Sequence, residues 1–336
     1  MSATTTIYDV AAKAGVSIST VSLAINAPTR VSPATRTRVL AAVDELGFVP
    51  KTEAVTRARR GVGRIGVIAP FTSSAFFARV LNGVLRAARG KQVEVVVYDH
   101  ESANASPLAS LPLTRQVDGV IVMTVPLTDD VARRLLDQPV ETVLVDQRRP
   151  GFSSVAVDDV AAGRMVAEHL LARGCRRCGF VGHAQDVYDY VLESQARLAG
   201  LRAGLQAAGI ELADADVRVC ERDFEAGRAA ARELLDRSER PGAVVAHDDL
   251  LASGVLAAAR QLGIGVPEQL MVVGFDDSAL AAPLGLTSVH HPAEQVGERA
   301  LELLLAQLAD PARGVQETTL AVTLAARDST CAPDAA

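Results

Sequence analysis

The chain has 336 residues, 49% of them hydrophobic but only 4% aromatic, with no tryptophan and a formal net charge of −6 at pH 7. That length buries a large core divided among two or three domains, and the prevalence of Ala, Val and Leu fits alternating strands and helices better than a β-sandwich. No apolar run reaches transmembrane length and the polar first residues lack an apolar h-region, so a cytoplasmic protein without membrane contact is expected, its four scattered cysteines being free thiols in a reducing compartment.

The first predicted elements are two short helices joined by a tight turn, within Thr6 to Asn26. Ile7, Val10, Ala11 and Ala14 repeat at helical spacing, and Gly15 can take the left-handed conformation that ends the first helix. Ser17 or Ser19 can cap the second. Val21, Ala24 and Ile25 give this second helix a buried stripe, leaving Ser17, Ile18, Ser19, Ser22 and Leu23 outside. A small, hydroxyl-rich, almost uncharged face suits a helix pressed into a DNA major groove. Ser32 then caps a third helix with Pro33 at its first position, running through Val39, Val43 and Leu46 to Gly47. Residues 1–64 hold nine Lys/Arg against four Asp/Glu, a net +5 that leaves the remainder at −11. A basic head on an acidic body places the contact with a polyanion at the N-terminus. Pro50 to Arg64, rich in Arg, Ala and Thr, reads by itself as a flexible linker.

From Ile65 the pattern becomes strand–helix alternation. Strands are predicted at Ile65–Ala69, Val93–Tyr98, Gly119–Met123, Thr142–Val145, Cys178–Gly182, Val217–Cys220, Ala243–Ala246 and Leu270–Phe275. Helices fall between them at about 76–89, 128–137, 159–173, 194–208, 225–236, 249–262 and 293–309. Such βα repeats build parallel sheets with helices on both faces, here as two similar lobes divided near 155–160, with a ligand cleft between them at the carboxyl ends of the strands. No Walker or GxGxxG motif follows the first strand, no nucleophile elbow lies in residues 151–159, and His169, His183, His290 and His291 have no catalytic Ser or Cys marked by a local motif. No enzyme and no cofactor are expected. Cys175 and Cys178 have metal-like spacing, but no second Cys/His pair completes a zinc site, so Cys178 reads as a small core residue.

The helix pair, Val31-Ser32-x-x-Thr35-Arg36, Gly47-Phe48-x-Pro50 and Ile65-Gly66 together resemble the LacI/GalR family of bacterial transcription regulators. The resemblance continues through Phe76-Phe77, Val145-Asp146, Glu168-His169-Leu170, Arg197-Leu198-Ala199-Gly200, Asp248-Asp249 and Val273-Gly274-Phe275-Asp276-Asp277. It implies an all-α helix-turn-helix head (1–49), a hinge (50–64) and an α/β core (65–336) of two doubly wound parallel-sheet lobes of periplasmic-binding-protein type. Lobe 1 would take residues 65–157 and 291–320, and lobe 2 residues 158–290 and 321–329. The family further implies a homodimer on a near-palindromic double-stranded DNA operator, whose affinity a small-molecule effector, a sugar or related polyol, changes by closing the cleft. A regulator with a degenerate, ligand-independent cleft is the alternative. A solute-binding protein is a weaker one, opposed by the basic head and the missing signal peptide.

Carried over by position, Thr6, Tyr8, Ser17, Ser22, Asn26, Ser32 and Thr35 would bond phosphates, and Ile18, Ser19 and Leu23 would read bases. Many relatives have Arg where Leu23 stands, so a different operator is expected. In the hinge, Ala54 and Ala58 match small DNA-facing positions and Lys51 stands where Asn is common, while Arg57 replaces the usual Leu wedge and suits a narrowed minor groove instead. The effector-binding candidates are Phe71, Ser73, Phe76 and Asp146 from the first lobe and Arg197, Phe224, His247 and Asp276 from the second. Charged side chains bonding adjacent hydroxyls, with an aromatic face on the ring, are the usual means of holding a polyol. Arg197 could equally pair with an acid as structural support.

Overall fold

The computed structural model describes residues 5–26, 30–46, 48, 63–69, 75–99, 117–125, 127–137, 140–183, 193–310 and 312–331. Lys51, Ala54, Arg57, Ala58, Phe71 and Ser73 lie outside the described residues.

Three helices open the chain, each with chemically marked ends: α1 (Ile7–Ala14), α2 (Ile18–Asn26) and α3 (Pro33–Glu45). The Asp9 carboxylate accepts from the amide and the hydroxyl of Thr6 at the start of α1, each at 2.7 Å, and these bonds hold its pKa below the usual carboxylate range. Gly15, at φ +64°, ends α1 by donating to the carbonyls of Ala11 and Ala12. Of the two candidate caps for α2, Ser17 is the one that serves, accepting from Thr20 N at 3.1 Å; Ser32 accepts from Thr35 N at 3.2 Å ahead of α3. Val10, Val21 and Val39 are fully buried where the three helices meet, with Ala11, Ala24, Val43 and Phe48 around them. Too little apolar area is enclosed for more than a small module.

Two compact units follow from the contacts, Met1–Ala156 with Glu294–Thr318 and Val157–Ala293 with Thr319–Ala336. The first contains β1 (Gly63–Ala69), α4 (Ala75–Ala88), β2 (Val93–Asp99), β3 (Gly119–Met123), α5 (Asp129–Asp137), β4 (Glu141–Val145) and β5 (Ser153–Val157). The second contains α6 (Asp159–Ala172), β6 (Cys178–His183), α7 (Glu193–Ala207), β7 (Val217–Cys220), α8 (Phe224–Leu235), β8 (Ala243–Ala246), α9 (Asp249–Gln261), β9 (Met271–Asp276) and β10 (Thr287–His290). The chain then passes through α10 (Ala293–Ala309), β11 (Glu317–Leu320) and β12 (Thr323–Ala325). The strand orders are β2-β1-β3-β4-β5-β11 and β7-β6-β8-β9-β10-β12, so the two sheets repeat one topology. Their central pairs are parallel, and β12 joins β10 antiparallel. Each sheet reverses direction of winding beside its first strand, and the crevice outside such a reversal is where open parallel sheets take ligands.

The eight strands predicted from Val/Ile-rich runs are present, three with the predicted ends and five with ends shifted by one or two residues. Four more, β5, β10, β11 and β12, lie in short hydroxyl-bearing segments that carry no strand signal of their own. β5 is buried throughout although it begins with two serines. Its Ser153 hydroxyl accepts from Gln307 Nε2 and from Gln316 N, both at 2.9 Å, so the polar atom is satisfied by distant partners. In the first unit, α4 and α10 touch through glycines. A Cβ on Gly83 would stand 1.9 Å from the Glu294 carbonyl oxygen, and one on Gly297 would stand 2.0 Å from that of Val80. Arg79 grips Glu294 across this contact with two bonds of 2.9 Å. Cys178 is fully buried in the second unit's core. Among the described residues no helix is long and apolar enough to cross a membrane, and no group of three or more His, Cys, Asp or Glu could hold a metal ion.

Candidate functional site

Two groups of residues carry the chemistry, one on the helical head and one at the carboxyl end of the second sheet. On the head, α2 exposes Ile18 and Ser19, with Ser22 and Leu23 half-buried beside them, and Tyr8 on α1 is 68% exposed. The hydroxyls of Thr6, Ser17 and Ser32 are engaged in the helix-start bonds above, and Thr35 Oγ1 accepts from Ser32 Oγ at 2.9 Å. These groups therefore sit at helix N-termini, where backbone N–H groups and the helix dipole favour an anion. Asn26 ends α2, and its side chain lies outside the described residues.

In the second unit the site starts from how closely α6 and α7 pack. A Cβ on Gly200 would stand 2.0 Å from the Val160 carbonyl oxygen, and one on Gly163 would stand 2.2 Å from that of Arg197. Backbones that near each other bring Arg197, on the buried Ser194/Arg197/Leu201 stripe of α7, beside Asp159 at the start of α6. Arg197 is only 5% exposed. Its Nε donates to Asp159 Oδ1 at 2.8 Å, its Nη1 to the His247 carbonyl at 2.6 Å, and its Nη2 lies 3.8 Å from Asp276 Oδ1. The guanidinium also stacks 4.6 Å from the Phe275 ring centroid. Burial alone would lower the Arg197 pKa, but the carboxylates of Asp159 and Asp276 outweigh it and raise it.

Arg222, just before α8, extends the cluster. Its Nε donates to Asp248 Oδ2 at 2.5 Å and its Nη2 lies 3.6 Å from Asp276 Oδ2. Asp248 also caps α9, its Oδ1 accepting from Leu251 N at 2.8 Å. Charges thus alternate along Asp159, Arg197, Asp276, Arg222 and Asp248. Such a chain presents directed donors and acceptors while each charge stays compensated, which is what burial demands. The His247 and His183 rings, at the ends of neighbouring strands, stand 5.8 Å apart. Burial, with Arg197 and Arg222 nearby, pushes the His247 pKa well down, and burial and Arg222 lower that of His183. Among the described residues the Nδ1 atoms of both rings are buried without a hydrogen-bond partner.

The structure therefore brings together Arg197, His247 and Asp276. Phe224 opens α8 two residues after Arg222, is 39% exposed, and borders a groove along α9 with Ser253, Leu256 and Ala257. Phe76 and Asp146 belong to the first unit. Phe76 packs its ring edge-on against Phe77 at 5.5 Å, and Asp146 follows β4 at φ +53°, its amide donating to the Val155 carbonyl at 3.0 Å. Arg222, Asp159 and His183 were not singled out from the sequence. For Arg222 the only available signal is its place directly before the Asp223-Phe224 helix start.

Residues 6–51 match the family described as bacterial regulatory proteins, lacI family, and residues 167–330 match the periplasmic binding protein-like domain. The chain is 33% identical to the HTH-type transcriptional regulator GalS of Salmonella typhimurium over 89% of each chain. Its fold is similar to that of the transcriptional regulator CelR–cellobiose complex, with a TM-score of 0.69 and 31% identity over 97% of this chain and 99% of that one. It is also similar to the lac repressor dimer bound to operator and the anti-inducer ONPF, with a TM-score of 0.71 and 25% identity over 98% and 99% of the two chains.

Proposed function

This chain belongs to the lacI family of bacterial regulatory proteins, and on that premise we propose that it is a repressor whose hold on operator DNA is changed by a small polyhydroxylated effector. It is a DNA-binding transcription regulator and not an enzyme. The proposal has it acting in the cytoplasm as a homodimer, each head in one major groove of a near-palindromic site. The observation that carries it is the head itself, a capped helix with an apolar-and-hydroxyl face, on the basic end of an otherwise acidic chain. Thr6, Tyr8, Ser17, Ser22, Asn26, Ser32 and Thr35 are assigned to phosphates, and Ile18, Ser19 and Leu23 to base edges. Lys51, Ala54, Arg57 and Ala58 are assigned to the hinge contact, with Arg57 in the minor groove.

Binding to a palindromic fragment from its own promoter is expected to weaken by about 10³-fold or more between low and moderate salt, as several phosphate contacts require. Leu23→Arg is expected to change which sites are preferred, whereas Thr35→Ala weakens all sites by a similar factor. Fluorescence anisotropy on operator variants measures both, and a uniform loss from the Leu23 change would remove it from the base readers.

The effector assignment rests on Arg197 and Asp276, with His247 beside them; Phe224, Phe71, Ser73, Phe76 and Asp146 are kept as further candidates. The bound cellobiose of the similar CelR structure supports a sugar. Cellobiose, D-glucose, D-galactose and D-ribose are the sugars to try in thermal-shift measurements. A sugar at about a hundred times its Kd stabilises the fold by roughly 2.7 kcal/mol. Asp276→Ala is expected to abolish that shift, and an undiminished shift would take Asp276 out of the site. A charge chain in which every carboxylate already has an arginine partner also suits a regulator that needs no ligand, and no shift with any sugar would favour that reading.

A further inference from the structure

The turn that presents Asp276 is strained, with Asp276 at φ +90° and Asp277 at φ +47°. L-residues avoid this region unless their surroundings hold them there. The hold comes from Asp249, in the first turn of α9. Its Oδ2 accepts from Ser278 N at 2.6 Å and its Oδ1 from Ser288 Oγ at 2.6 Å. The Ser288 hydroxyl in turn accepts from Asp277 N at 3.0 Å. Asp277 is tied by Arg327 Nη2 at 2.7 Å and by His290 Nδ1 at 3.1 Å. Asp249 is 1% exposed and Ser288 fully buried, so water does not compete for these bonds.

The charges around Asp249 come from every element it packs against. Asp276 ends β9, Asp277 follows it, and Asp248 precedes Asp249 on its own helix. Arg197 and Arg222 pair with Asp276, Arg327 pairs with Asp277, His290 leans on Asp277, and His247 is two residues upstream. Burial pushes the Asp249 carboxyl up to about 6; the bonds from Ser288 and Ser278 oppose this, and the charge on Asp276 adds to it.

We infer that Asp249 is a positioning residue: its buried carboxyl clamps the left-handed turn that presents Asp276, and taking up a proton there relieves its repulsion of Asp276 while leaving both clamp bonds in place. The proton goes on Oδ1, which then donates to Ser288 Oγ as the Ser288 hydroxyl proton rotates away from Oδ1, while Oδ2 continues to accept from Ser278 N. The inference rests on reading the Arg197–Asp276 cluster as the effector site. An effector that displaces water from the cluster makes charge on Asp249 costlier still, so binding takes up a proton and tightens as pH falls through the Asp249 transition.

The test uses the full chain with cellobiose, D-glucose, D-galactose and D-ribose, by calorimetry at about pH 5.5 and about pH 8, either side of the transition. Amide exchange at Asp277 and Ser278 is followed alongside. The sugar that binds is expected to bind about threefold or more tighter at the lower pH. Because the folded pKa is raised, the melting temperature also falls as pH rises through about 6. Asp249→Asn keeps both clamp bonds and should lose both pH dependences. Ser288→Ala removes a bond that favours the ion and should move the transition to higher pH, a change that a merely structural role does not produce. The same pH profile in Asp249→Asn as in the native chain overturns the inference while leaving the effector site intact. Were no sugar to bind at either pH, the effector reading would fall; faster Asp277 and Ser278 exchange in Asp249→Ala would then uphold the clamp alone, and unchanged exchange would remove it too.

Discussion

Gly200→Ala is expected to lower stability by roughly 3 kcal/mol, at the upper end of what overpacking a close contact costs. The added methyl would sit 2.0 Å from the Val160 carbonyl oxygen and within 3.0 Å of other Val160 backbone atoms. Backbone, unlike a side-chain tip, cannot turn aside, so α6 and α7 must separate along their length. Separation also draws Arg197 away from Asp159, and one substitution thereby loosens packing and charge pairing together. The matched control is Gly242→Ala, where the nearest atom is 3.9 Å away and the reduced freedom of the unfolded chain makes the change neutral or slightly stabilising. Urea unfolding at constant slope compares them. Equal midpoints for the two variants would show that the helices are not in limiting contact.

Arg197→Met is the second large effect. It removes the guanidinium that lies between Asp159 and Asp276 and that donates to the His247 carbonyl. Losing one partner of a buried pair costs about 3–5 kcal/mol, because the remaining charge stays desolvated. Asp276 keeps Arg222 at 3.6 Å, so the lower end of that range is expected. Adding Asp159→Asn should recover part of the loss, since it removes the carboxylate that Arg197 held most closely. Denaturation of the single and double variants measures the coupling, and strictly additive losses would show that the pair contributes nothing specific. Operator binding by the folded variant should persist, because the head has its own core of Val10, Val21 and Val39.

These two expectations fall on residues whose importance the sequence displays unequally. Arg197 stands out through its motif, but its partner Asp159 looks like an ordinary acidic residue in a first helical turn. Gly163 and Gly200 read as weak points of two helices, whereas in the fold they are what allows the helices to touch. Asp276 was legible as a ligand candidate. Its left-handed backbone and the buried clamp beneath it were not, because no local pattern announces a positive φ in an aspartate.

The three-helix head and the βα alternation were determined by the sequence alone. Their causes act within a few residues: Asp9 on Thr6, Gly15 at a helix end, Ser17 and Ser32 before helix starts, and Val-rich runs between polar turns. Only the tertiary structure decided that β5 and β10–β12 are strands, since the partners that satisfy and pair with them are remote in the chain. It alone also set the order Asp159–Arg197–Asp276–Arg222–Asp248. Arg197 meets Asp159 across 38 residues and Arg222 meets Asp248 across 26, and such pairs exist only once sheet winding and helix contact have brought the strand ends together.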